Sequence, residues 1–80
     1  MNALEIGNLI RYHRKAAGLT QKELADLAGI GKTVVFDLEK GKESVQIDTM
    51  LAMFSVLNMA LKVEGPLVEK YHREKLKAGV

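Results

Sequence analysis

Three glycines set the scale of any fold this chain can adopt. Gly18, Gly29 and Gly41 each follow directly on a run of residues with helical periodicity, so the first half must be built from short helices reversed at those points. Ile6, Leu9, Ile10, His13, Arg14 and Ala17 recur at the spacing of an amphipathic helix, which Gly18 ends. Thr20 is placed to cap a second helix, with Glu23 completing a capping box and Leu24, Ala25, Leu27 and Ala28 forming its apolar side as far as Gly29. Gly31 opens a third helix that runs to about Lys40, with Val34, Val35 and Leu38 on one face. Lys32, Thr33, Phe36 and Asp37 lie opposite, an outward stripe with a bare aromatic in it.

Beyond the polar loop "GKES", Asp48 marks the start of a fourth helix, with Ile47, Met50, Leu51, Phe54 and Leu57 in register and Asn58 as a left-handed cap. The stretch "MALKVEGP" then alternates, Leu61 and Val63 against Lys62 and Glu64, and reads as a strand ended by Gly65 and Pro66. A lone strand cannot satisfy its own backbone, so it predicts pairing with a second copy across a two-fold axis. The alternative is a last turn of the fourth helix. In the tail, Pro66 stands at a helix start, and Glu69 with Arg73 and Lys70 with Glu74 are spaced for ion pairs. Leu67, Val68, Tyr71 and Leu76 are its few apolar anchors, which predicts a frayed helix.

With 80 residues, 48% of them hydrophobic and 28% charged, there is material for one small core, and dimerisation is expected on size alone. The absence of cysteine excludes disulfides, thiolate catalysis and cysteine zinc sites. No basic leader and no long apolar run are present, which predicts a cytoplasmic protein without a membrane segment. Net charge is +2 and the pI about 9.0, compatible with an anionic partner. The excess lies N-terminally, in Arg11, Arg14, Lys15, Lys22, Lys32, Lys40 and Lys42 against Glu5, Glu23, Asp26, Asp37 and Glu39.

The run "GIGKT" at Gly29 to Thr33 suggests a phosphate loop, but Asp26 occupies the place of its first glycine and "KELADLA" reads as helix where a strand is required. What survives is a helix start at Gly31 with Lys32 beside it, able to meet a phosphate, or simply a turn between helices. His13 and His72, each within "YHR", have no partners at metal-ligand spacing, and Ser44 and Ser55 lack the context of an activated nucleophile. No enzyme, metal or cofactor is expected. Arg14 on the first apolar stripe and Glu39 at the edge of the third predict a buried pair between those helices.

The segment "RKAAGLTQKELADLAGIGKTVVFDLEKGK", Arg14 to Lys42, resembles the helix-turn-helix of the Cro/repressor (XRE) family. Leu19-Thr20-Gln21, Glu23-Leu24-Ala25, Gly29-Ile30, Leu38-Glu39 and Gly41 carry the likeness, and "LNMALKVEGP" looks most like the HipB-type branch. The resemblance implies an all-α, compact four- to five-helix domain over residues 1–58 and a dimerisation strand at 59–65 carrying Leu61 and Val63, which leaves a C-terminal tail, helical or frayed, at 66–80. It further implies a homodimeric repressor on a palindromic double-stranded operator, with the third helix in the major groove. Gln21, Lys32, Thr33, Phe36 and Asp37 match the family's base-reading positions, with Lys22, Lys40 and Lys42 placed for phosphates. Lys32 suits a guanine edge, Thr33 a base or phosphate, Phe36 a thymine methyl and Asp37 a cytosine amino group. Phe36 packing under a loop and Asp37 acting as a screening or bracing charge stand as alternatives. The HipB-type branch implies an antitoxin partnered by a HipA-like kinase toxin; a stand-alone regulator, or an interaction module without DNA readout, would share the same helices.

Overall fold

The computed structural model describes residues 1–77, in five helices: α1 (Ala3–Ala16), α2 (Gln21–Ala28), α3 (Lys32–Glu39), α4 (Ile47–Val56) and α5 (Val68–Lys77). The last three residues of the expected tail lie outside this range. The first four helices form the body, in which α2 packs on α3 and α4, and α1 on α3.

Each body helix ends in the same chain reversal. After α3, Gly41 adopts φ 88°, the Gly41 amide donates to the Leu38 carbonyl (3.0 Å) and the Lys42 amide to the Asp37 carbonyl (3.1 Å). Matching bond pairs close α1 at Gly18, α2 at Gly29 and α4 at Asn58, the last with φ 60° on a residue type that tolerates it. At the start of α2 the predicted capping box is complete, with Thr20 Oγ1 accepting from the Glu23 amide (3.0 Å) and Glu23 Oε1 from the Thr20 amide (2.9 Å). Those bonds favour the ionised form and hold the Glu23 carboxyl below its ordinary pKa.

Ile10, Leu24, Val35 and Met53 are fully buried, each worth about 1.5–3 kcal/mol of transfer free energy. Ala25, Leu38, Met50, Phe54 and Leu57 complete the core. Of the residues expected in register on α4, Met50, Phe54 and Leu57 are buried, whereas Ile47 and Leu51 are exposed and Met53, which was not among them, lies at the centre. Leu27 of α2 likewise faces out. α1 comes close to α3 at Gly7, a buried residue whose missing Cβ would fall 2.2 Å from the Leu38 carbonyl oxygen.

The predicted strand does not form within the single chain. Residues 59–65, including Leu61 and Val63, are irregular, and among the described residues no backbone group of 60–64 has a hydrogen-bond partner. The physical reason is the one that made the strand conditional: a ladder needs a second strand, and the rest of the chain is helical. The helical alternative fails too, because the Asn58 reversal closes α4 first. α5 forms with both predicted ion pairs, Arg73 to Glu69 (3.1 Å) and Lys70 to Glu74 (4.0 Å), yet buries none of its residues.

Candidate nucleic-acid interface

Gly31, extended at φ −75°, ψ 145°, caps α3 without a side-chain hydrogen bond, and Lys32 and Thr33 stand exposed in the first turn. Val35, Leu38 and Glu39 bury the opposite side. Phe36, 43% exposed, and the half-buried Asp37 continue the outward stripe as expected. Two cations from the end of the helix close over that stripe: Lys40 Nζ lies 4.5 Å from the Phe36 ring centroid, and Lys42 Nζ lies 3.5 Å from Asp37 Oδ2.

The face is fixed from beneath by the predicted buried pair. Arg14 Nε donates to Glu39 Oε2 (2.6 Å) and Nη2 to Oε1 (2.9 Å), while Nη1 donates to the Leu19 carbonyl (2.8 Å). The side chains are only 9% and 3% exposed. Hydrogen bonding to Glu39 raises the Arg14 pKa further above its ordinary range, against the opposing effect of burial. Gln21 joins this network, its Nε2 donating to Glu39 Oε1 (3.2 Å), so one residue from each of α1, α2 and α3 meets at a single carboxylate. Gln21 is therefore held half-buried at the start of α2 beside α3.

Lys22 is exposed and bonded to Asp26 one turn on (2.9 Å), and that contact raises its pKa. Arg11, counted in the sequence only among the N-terminal cations, lines a cleft of about 290 Å³ with Gln21, Phe36, Glu39 and Lys40. Its signal was its place three residues before Arg14, which sets it one turn away on the flank of the same helix. Leu61 and Val63 lie outside these helices on the irregular segment, 50% and 68% exposed. Among the described residues there is no cluster of metal-ligating side chains and no helix long and apolar enough to cross a membrane. His13 Nδ1 is engaged with the Leu9 carbonyl (2.6 Å), and His72 is exposed.

Two short helices joined by a glycine turn, the second exposing a polar stripe and the first braced against it, define a helix-turn-helix protein. The chain belongs to that family: residues 10–62 match the Helix-turn-helix family of the Cro/C1 (XRE) type. It is 39% identical over 62 residues to a protein of Sinorhizobium fredii (strain NBRC 101917 / NGR234) described as the uncharacterized HTH-type transcriptional regulator y4mF, covering 78% of this chain and 82% of that one. A Methanothermobacter thermautotrophicus protein described as an uncharacterized HTH-type transcriptional regulator is 53% identical over 36 residues, 45% of this chain and 52% of its own. One of the same description from Haemophilus influenzae is 30% identical over 50 residues, 62% of this chain and 51% of its own. The chain thus spans about half the length of the latter two.

Proposed function

We propose that this chain is a sequence-specific double-stranded DNA-binding regulator of the repressor type, with α3 in the major groove. The observation that carries this reading is the exposed start of α3, where Lys32 and Thr33 project opposite the buried Val35, Leu38 and Glu39. N-terminal residues of a recognition helix are the ones that meet base edges. Lys32 suits a guanine, Thr33 a base or phosphate and Phe36 a thymine methyl; Asp37 stands on the same stripe, where a carboxylate could accept from a cytosine amino group. Gln21, matched to a base-reading position, is held beside that stripe by Glu39, while Lys22, Lys40 and Lys42, with Arg11 and the amides at the start of α2, are candidates for phosphate contacts. The regulators named among its relatives support the same role.

Lys32→Ala should leave the fold intact and reduce discrimination between a selected operator and random duplex by about 1–3 kcal/mol. Binding titrations at one salt concentration, with circular dichroism as the fold control, measure this. Unchanged discrimination would remove α3 as the reading face.

The protein acts as a homodimer on a palindromic operator in this reading, with residues 59–65 pairing across the two-fold axis. The unpartnered backbone of 60–64 and the exposure of Leu61 and Val63 support it. Leu61→Lys with Val63→Glu should turn a dimer into a monomer in sedimentation at micromolar concentration, and a monomeric native chain would refute the pairing. The role of antitoxin to a HipA-like kinase rests on the likeness of this C-terminal segment. It requires a kinase-sized chain to co-purify from the native host, and repeated recovery without one would refute it.

A further inference from the structure

The reading of Asp37 as a base contact competes with an ion pair that its carboxylate already makes, since Asp37 Oδ2 lies 3.5 Å from Lys42 Nζ. We infer that Asp37 is a positioning residue: it holds Lys42 for a DNA phosphate and does not itself read a base. This rests on the DNA-binding reading above and assigns a different role to one residue within it.

Two tethers join the residues. The reversal at Gly41 brings the Lys42 amide onto the Asp37 carbonyl (3.1 Å), and the side chains meet at 3.5 Å on the outer edge of α3. An exposed lysine–carboxylate pair is ordinarily weak because a long stem must be immobilised to make it. Here the backbone bond has already fixed the base of that stem above its partner.

The place to which Lys42 is held also favours phosphate. Lys42 lies beyond the last turn of α3, whereas the base-reading positions of a recognition helix lie at its start. It borders a cleft of about 320 Å³ between α3 and α4, to whose lining Ser44, Gln46 and Thr49 contribute further polar residues. An aspartate on a surface turned towards DNA would by itself repel the backbone. Paired with Lys42, it restricts where the positive charge can point.

The test uses duplexes enriched by the full-length native protein from a random library, together with an unselected duplex. Affinity is measured from about 50 to 200 mM salt, because each phosphate contact contributes about 0.9 to the slope of log K against log salt. Asp37→Asn and Lys42→Ala should each weaken binding to both duplexes alike and flatten that slope by about 0.9 or less, so that the deficit shrinks by up to about 3.5-fold across the range. Combining them should weaken binding no further than Lys42→Ala alone, since Asp37 acts through that lysine. The inference is overturned if Asp37→Asn changes preference at one base pair with the slope intact, if it tightens binding to every duplex, or if it changes nothing. If the native protein enriches no duplex at all, the DNA-binding reading itself falls. Thermal unfolding of each variant separates these outcomes from a folding defect.

Discussion

Replacing Glu39 with alanine should destabilise the protein by about 3–5 kcal/mol, the range for removing one partner of a buried ion pair. Folded domains hold about 0.05–0.15 kcal/mol per residue, so at this size such a loss is at least about a quarter of the total. The reason lies in what is left behind. Arg14 would keep its charge with two of its donors aimed at a vacant acceptor, while Gln21 would lose its partner as well. Exchanging both members, Arg14→Met with Glu39→Leu, should recover most of the stability, because no buried charge then remains. The recovered variant should still bind DNA less tightly than the native chain, since Gln21 has lost its anchor beside α3. Urea unfolding at fixed protein concentration measures the first effect and DNA titration the second. A loss below about 1 kcal/mol for Glu39→Ala would show that the pair is not the brace it is taken for.

Gly7→Ala should be nearly as severe, and its sign runs against helix propensity. In an exposed helix interior, glycine to alanine is favourable by about 1 kcal/mol. In α1 the new methyl carbon would lie 2.2 Å from the Leu38 carbonyl oxygen, with Glu39 backbone atoms at 3.1 and 3.2 Å. Backbone cannot step aside as a side-chain tip can, so α1 must lift from the end of α3. A cost of about 3 kcal/mol, at the upper end for overpacking, is expected from denaturant unfolding. Operator discrimination should fall with it, because the carbonyls in question belong to the helix that presents Lys32 and Thr33. A stabilised Gly7→Ala variant would show that α1 and α3 do not meet this closely in solution.

Much of the body was legible because its signals are local. The capping box at Thr20, the reversals at Gly18, Gly29 and Gly41 and the cap at Asn58 depend on neighbouring residues alone, and all formed as read. The Arg14–Glu39 pair was legible for a different reason: two charges on otherwise apolar faces have few ways of being satisfied. α4 was legible only in part: Met50, Phe54 and Leu57 are buried as expected, but Ile47 and Leu51 are not. Ile47, Met50, Leu51, Met53, Phe54, Val56 and Leu57 leave it apolar on nearly every side, so periodicity cannot choose which flank faces inward. Gly7 carried no signal at all, since its role is defined by a backbone that arrives from far along the chain. The ties of Asp37 to Lys42 and of Phe36 to Lys40 were also missed, the first because it spans a reversal and so falls outside helical spacing. Residues 59–65 are the remaining case, where alternation shows what the segment could do but the required partner is not in the chain.

α5 is as informative for what it omits. None of its residues is buried, and the buried core is supplied by α1 to α4 and Leu57. A lineage could keep these four helices while trying a succession of tails, each change leaving the core of the domain intact.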